Sequence, residues 1–174
     1  MTMDDYTFVL NFSLPRGNED PKALVDSLFE AGCDDATIGV GQHGMIGLDF
    51  TRSAESADAA LRSAIQDVTR AVPGATLVRV GPDLVGLTDM AGLFGFTRQN
   101  MRKYAIGGSA GKAAFPAPIH VGEPSLWHLA EIIAWLRANT GIQPRDDMFE
   151  VAKAAARINF EAEQRRVGRI LALG

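Results

Sequence analysis

The chain has 174 residues, of which 47% are hydrophobic and 22% charged, a composition typical of one ordinary globular domain or two small ones. Its single cysteine, Cys33, excludes an internal disulfide, so nothing indicates an oxidising compartment. The acidic N-terminus is unlike a signal peptide, and no apolar run approaches the ~20 residues of a membrane span. We therefore expect a cytoplasmic protein with no membrane partner.

The net charge of −4 is unevenly distributed along the sequence. Residues 1–83 contain 13 acidic and 6 basic side chains, a net charge of −7, whereas residues 84–174 contain 8 acidic and 11 basic, a net charge of +3. Within 84–122, Asp89 is the one acid beside four basic residues. This asymmetry indicates different partners for the two halves, although three charges are also within ordinary variation.

The first half predicts strands and helices in the order β-α-β-β-α-β. Alternating apolar and branched residues indicate four strands, at Tyr6–Leu14, Asp35–Val40, Met45–Thr51 and Ala75–Val80. This order predicts an α+β protein in which residues 1–82 form a ferredoxin-like split βαβ sandwich. One face of its sheet would then have to be covered by a partner chain, the second half or a ligand.

Capping residues and helical spacing define the two helices of this half. Asp20, followed by Pro21, is expected to cap the first helix, and Gly32 to end it. Ser53 is expected to cap the second, which ends at Pro73-Gly74. The predicted buried faces are Leu24, Val25, Leu28 and Phe29 in the first helix, and Ala57, Ala60, Leu61, Ala64, Ile65 and Val68 in the second.

Two glycine motifs resemble nucleotide-binding loops but lack the flanking structure. Gly39–Gly44 matches G-x-G-x-x-G, yet a strand follows it, so no helix N-terminus is available for a pyrophosphate. Gly107–Lys112 is one residue short of a phosphate loop and follows a helix. His120 and His128 are more readily explained as surface residues than as metal ligands. Since no catalytic constellation is present either, we expect no enzyme, no cofactor and no metal site.

The segment Leu87–Tyr104 predicts a helix, a glycine turn and a second helix. Thr88 is expected to cap the first helix, Gly95 to take the left-handed conformation of the turn, and Thr97 to cap the second helix. Met101 is the residue of the second helix that must be buried. The residues left facing outward are Arg98, Gln99, Asn100, Arg102 and Lys103.

These outward residues are of the types that read DNA. Asn and Gln can pair with adenine and Arg with guanine in the major groove. Arg102, Lys103 and the Tyr104 hydroxyl could hold phosphates, which fix the register of a protein on DNA. The simpler alternative is a solvated helix in an ordinary helical domain.

The region from about 84 to 140 resembles the winged helix-turn-helix of the MerR, AlpA and excisionase group. The likeness covers Leu87–Leu136, with Phe115-Pro-x-Pro118 and the run Leu126–Leu136, and a helix is predicted from about Trp127 to Asn139. It implies that Thr97–Tyr104 is a recognition helix and that Ser109 and Lys112 lie on the wing or its approach. His120 and Glu123 depart from it, because basic residues often fill these wing positions.

A final helix is predicted from Asp146-Asp147 to about Leu171. Its broken apolar stripe comprises Phe149, Ala152, Ala156, Phe160, Val167 and Ile170. We favour packing against a second copy of the chain, with an intramolecular strut as the alternative. The expected organisation is thus 1–82, an oligomerisation, sensor or partner domain; 83–140, a DNA-binding domain; and 141–174, the C-terminal helix.

Together these features predict a sequence-specific DNA-binding transcriptional regulator, dimeric on a palindromic operator of double-stranded DNA. The first domain would bind a protein or small-molecule partner. One alternative is an antitoxin-like or other partner-binding module that autoregulates its operon. Another is an excisionase-like architectural DNA binder, which would bend DNA without controlling transcription.

Overall fold

The structure is a computed structural model that describes residues 2–17, 20–39, 44–107 and 113–174. It confirms the α+β class. The chain divides into two compact units, Met1–Gly81 together with Ala154–Gly174, and Pro82–Lys153. In chain order the elements are β1 (Asp4–Ser13), α1 (Pro21–Glu30), β2 (Ala36–Gly39), β3 (Met45–Ala54), α2 (Ala57–Ala71), β4 (Thr76–Gly81), β5 (Leu84–Val85), α3 (Leu87–Phe94), α4 (Arg98–Gly107), β6 (Trp127–His128), α5 (Leu129–Asn139) and α6 (Asp146–Leu171).

The first unit contains an antiparallel sheet in the order β2-β3-β1-β4. This is the strand order of the split βαβ arrangement that the sequence predicts. Alternate residues of β1 and β3 point to one face, where α2 packs and α1 packs on α2. The largest of these buried side chains include Phe8, Leu10, Phe12, Ile46, Leu48 and Phe50.

Two local predictions for this unit are wrong. Ser53 is not a helix cap, because β3 stays paired with β1 as far as Ala54 opposite Asp4, and Ser56 caps α2 instead. Phe29 is 51% exposed, although its spacing predicts a place on the buried face of α1. It follows the buried Leu28 by one residue, which turns it about 100° away around the helix axis.

The other face of the sheet lies open and is polar. Asp5 and Thr7 on β1 alternate with the buried residues and are exposed, as are Asp49, Thr51 and Ser53 on β3. The expectation that another element must cover this face is therefore unnecessary. Polar side chains here leave the face compatible with water, as is common in antiparallel sheets.

The edge strand β4 is covered by α6. The Asn159 side-chain amide donates to the Val80 carbonyl and accepts from the Val80 N–H, both at 2.8 Å. The same helix contacts α2, where Glu161 pairs with Arg62 at 2.8 Å. An exposed sheet edge is a template for unwanted pairing, and Asn159 satisfies backbone groups that would provide it.

The second unit is built around α3, α4 and α5 and the short β5–β6 pair. Trp127 and His128 form β6 rather than the predicted first turn of a helix, because they pair with Val85 and Leu84. The buried Asp83 carboxylate lies 2.7 Å from Nδ1 of His128. The core cluster contains Val85, Met90, Ala91, Met101, Trp127, Leu129, Ile132, Ile133, Trp135, Leu136 and Ala152.

The last helix, α6, spans the predicted residues, and of the predicted apolar stripe it buries Ala152 and partly buries Phe149 and Ala156. Its buried residues are Val151, Ala152, Ala154, Ala155 and Ile158. Phe160, Val167 and Ile170 of the predicted stripe are exposed. The buried part of α6 thus ends before Glu161, and the exposed segment that follows is largely charged but carries the apolar Val167, Ile170 and Leu171. Among the described residues, no helix has the length and apolar character needed to cross a bilayer.

Candidate nucleic-acid interface

The turn between α3 and α4 is built by local signals that the sequence carries. Gly95 has a φ of +70°, the left-handed conformation expected of it, and the Phe96 N–H donates to the Ala91 carbonyl at 2.9 Å. Thr97 caps α4 as predicted, since its Oγ1 accepts from the Asn100 N–H at 3.2 Å. These bonds end one helix and start the next within three residues.

The start of α3 differs from the prediction. Thr88 lies inside the helix, which begins at Leu87 with Gly86 as its N-cap residue. The carboxylate of Asp89 accepts from the Gly86 N–H at 2.8 Å and so satisfies a backbone donor at the helix start. The preceding β5 residues pair with β6, which fixes where the chain can turn into the helix.

One side of α4 is anchored in the core of the second unit. Met101 is fully buried, as predicted. The half-buried ring of Tyr104 contacts Phe96 and Trp135, with ring centroids 6.3 and 5.4 Å apart. Tyr104, expected as a phosphate contact, thus packs its ring inside the unit. The rotation of α4 about its own axis is therefore set by Met101 and Tyr104.

The opposite side of α4 is exposed and basic. Its exposed residues include Arg98, Gln99, Arg102 and Lys103. Each residue of a helix is rotated by about 100° from the one before it, so side chains that are one, four or five positions apart point to the same side. Ile106 falls on the same face and is 70% exposed. Asn100 is also exposed but lies on the flank nearest Tyr104, which makes it the least central of the predicted base-reading residues.

The exposed face of α4 borders a groove of about 840 Å³. Arg98, Arg102, Ala105 and Ile106 line it from α4, and its other lining residues are Gly86, Leu87, Thr88, Asp89, Pro118, Gly122, Glu123, Pro124, Ser125 and Trp127. The two arginines are one helical turn apart, and both line the same groove. An anionic chain lying in it would meet both.

The far wall of the groove is a tight turn held by the two tryptophans of the chain. The Trp127 indole donates to the Pro116 carbonyl at 2.9 Å, and the Trp135 indole donates to the Ala113 carbonyl at 3.1 Å. After this anchored segment, His120 and Leu126 form an antiparallel bridge that closes the turn. Ser109 and Lys112, the predicted wing contacts, lie outside the described residues.

The turn itself carries no basic side chain other than the imidazole of His120. Val121 at its tip is 82% exposed, and Glu123 lines the groove with Arg98 and Arg102. Within this groove, the arginines that could contact phosphates come from α4, while Asp89 and Glu123 oppose them. Among the described residues, no three His, Cys, Asp or Glu side chains are grouped so that they could hold a metal ion.

The positive charge is local to α4 rather than spread over the unit. Residues 82–153 contain seven acidic and seven basic side chains, so this unit is neutral. The +3 of the second half includes Arg157, Arg165, Arg166 and Arg169, which belong to the first unit. Between Asp89 and Glu123 the sequence has no acid, which leaves the face of α4 locally cationic.

The sequence pattern predicts most of this face but not Ile106. The predicted helix stops at Tyr104, whereas α4 continues to Gly107. Ile106 follows Arg102 by four residues and Lys103 by three, a spacing that places it on the same helix face if the helix extends that far. In comparisons with known proteins, no family model, curated protein or solved structure matches the chain.

Proposed function

We propose that the protein binds double-stranded DNA in a sequence-specific manner through α4 and thereby regulates transcription. The main support is the exposed face formed by Arg98, Gln99, Arg102 and Lys103 on a helix whose orientation is fixed from behind by Met101 and Tyr104. The major groove of B-form DNA is wide enough to admit an α-helix, and arginine and glutamine side chains can pair with the base edges there.

The roles within this face follow from side-chain chemistry and position. Arg98 and Gln99 are at the N-terminal end of α4, where recognition helices usually meet base edges, and they can pair with guanine and adenine. Arg102 and Lys103 follow one turn later and are suited to phosphates, as is Arg98 within the groove. Rigid anchoring favours specificity, since the free helix already holds its side chains in register.

A second copy of the chain would double these contacts. The solvent-facing segment of α6 after Glu161 carries apolar side chains that the chain itself leaves exposed, including Val167, Ile170 and Leu171. Pairing through this segment would bring two copies of α4 into one dimer. A two-fold protein binds a palindromic site, with its half-sites separated by whole turns of DNA.

The proposal is tested by selecting duplexes from a random library with the full-length protein and measuring affinity for the best one by fluorescence anisotropy. Arg102→Ala is expected to weaken binding by about 1–3 kcal/mol if it meets a base, or to reduce the salt slope by about one if it meets a phosphate. Arg98→Ala is expected to behave in the same way.

Arg145→Ala is the matched control, because Arg145 is an exposed arginine of the same unit that lies outside α4 and pairs with Asp147. It is expected to bind as the wild type does. If Arg98→Ala and Arg102→Ala also retain full affinity and salt dependence, α4 is not the interface. If no duplex is enriched at low salt, the protein does not read DNA sequence.

A further inference from the structure

The most exposed large apolar side chain of α4 is placed in the middle of its basic face. Ile106 is 70% exposed, whereas Met101 on the opposite side of the same helix is fully buried. Around the helix, Ile106 lies between Arg98 and Arg102 on one side and Gln99 and Lys103 on the other. It also lines the groove that Arg98 and Arg102 border.

The surroundings of Ile106 define the chemistry of what can cover it. Its neighbours one turn back are the cations Arg102 and Lys103, and α4 contains no acidic residue. A partner must therefore present negative charge on both sides of a small apolar group. The major groove of DNA does this, since phosphates flank base edges and thymine alone among the four bases carries a methyl group there.

We propose that Ile106 contacts the C5 methyl group of a thymine in the major groove, and so determines specificity at one position of the bound site. This inference rests on the proposed function. The β-branched side chain is stiff about χ1, so the contact needs little further ordering. Ile106 adds to the polar readers an apolar one, placed two turns after Arg98 and Gln99 on the same face.

The contact is tested with the full-length protein and the duplex that it selects from a random library. Each thymine of that duplex is replaced in turn by deoxyuridine, which removes only the C5 methyl group and leaves base pairing intact. At one position the replacement is expected to weaken wild-type binding about fourfold, the value of one buried methyl group. Ile106→Ala is expected to weaken binding to the unmodified duplex by about four- to tenfold.

The decisive measurement is the coupling between the two changes. With Ile106→Ala, the sensitive thymine is expected to tolerate deoxyuridine, while all other positions behave as with the wild type. Phe29→Ala, which truncates an exposed apolar side chain on α1 of the first unit, is expected to leave affinity and deoxyuridine sensitivity unchanged. Circular dichroism spectra of both variants should match that of the wild type.

The outcomes separate the inference from the function on which it rests. If Ile106→Ala binds as tightly as the wild type, or keeps the same deoxyuridine sensitivity at every position, the thymine contact is wrong. In that case DNA binding itself still stands, because the wild type has selected a duplex. If no duplex is selected at all, the inference falls together with the proposed function.

Discussion

At the scale of single residues, the densest polar contacts of the first unit surround Arg52. Its guanidinium group makes two bonds to Asp35, at 2.6 and 2.9 Å, one to Asp67 at 2.8 Å, and one to the Gly32 carbonyl at 2.9 Å. Hydrogen bonds to Asp35 hold the pKa of Arg52 above its ordinary value. One buried cation thus joins β3, α2 and the segment that leads into β2.

Removing Arg52 is expected to destabilise the first unit strongly. Arg52→Ala leaves Asp35 and Asp67 without this partner in a region largely closed to water, at a cost of about 3 kcal/mol. Arg145→Ala, which breaks an exposed pair, is expected to change the free energy of unfolding little. Equal unfolding midpoints for the two variants in urea would contradict this prediction.

Cys33 provides the probe for that experiment. It is fully buried, and burial, followed by the charge of Asp67, raises the pKa of its thiol to about 11. The thiol therefore stays protonated and inaccessible at neutral pH, and it reacts with a thiol reagent only when the first unit opens. The urea dependence of its labelling reports unfolding of the unit that contains Arg52.

At the scale of elements, the α3–α4 pair depends on two glycines with different roles. Gly95 adopts a positive φ and ends α3, whereas Gly92 lies within α3 and has no such requirement. At neither position would an added Cβ meet a heavy atom within 4 Å. The effect of alanine at each site is therefore a matter of backbone conformation and not of packing.

The same substitution is expected to have opposite effects at these two glycines. Gly95→Ala forces alanine into the left-handed region and should destabilise the second unit by about 1 kcal/mol. Gly92→Ala removes backbone entropy from the unfolded chain and should stabilise it by up to about 1 kcal/mol.

Tryptophan fluorescence measures this difference selectively, because both tryptophans of the chain, Trp127 and Trp135, lie in the second unit. The prediction is wrong if both variants shift the urea midpoint in the same direction. Gly95 and the Thr97 cap were predictable from sequence because each depends on a few adjacent residues. The start of α3 was not, because the pairing of β5 with the distant β6 decides it.

At the scale of the whole molecule, the first unit is formed by two segments that are far apart in the sequence. Residues 154–174 belong to the same compact unit as residues 1–81. Their attachment includes the Asn159–Val80 bonds and the Arg62–Glu161 ion pair. Truncating the chain near residue 83 would remove these contacts and expose the edge of β4, so the domains expected from sequence are not the pieces to express separately.

The exposed segment of α6 is expected to pair with a second copy of the chain. Val167 and Ile170 are three residues apart, with Leu171 adjacent, which gives an apolar strip on one side of the helix. An antiparallel pairing of the two α6 helices is favoured, because it brings Glu161 and Glu163 of one copy near the arginines at the C-terminal end of α6 in the other copy. A parallel pairing would set those arginines side by side.

Ile170→Asp is expected to convert a dimer into a monomer, which light scattering coupled to size exclusion would measure over a dilution series. The charge disrupts an apolar contact without affecting the buried part of α6, which ends before it. Phe29→Asp, an exposed position on α1, should leave the mass unchanged. A wild-type protein that remains monomeric throughout the series would rule out this role for α6.

Short-range periodicity and capping chemistry were enough to predict the α+β class, the order of the elements in the first unit, the glycine turn and the Thr97 cap. The same periodicity predicted many of the buried residues, including Leu28 and Met101, but not which apolar residues stay exposed. Phe29, Ile106 and Phe160 are as hydrophobic as residues of the core, yet they are exposed. Burial depends on which distant segment packs against a side chain, and a local sequence pattern does not specify that contact. Which side chains of α4 form the exposed face that we propose for DNA was likewise decided by the tertiary structure, because the burial of Met101 and Tyr104 sets the rotation of the helix.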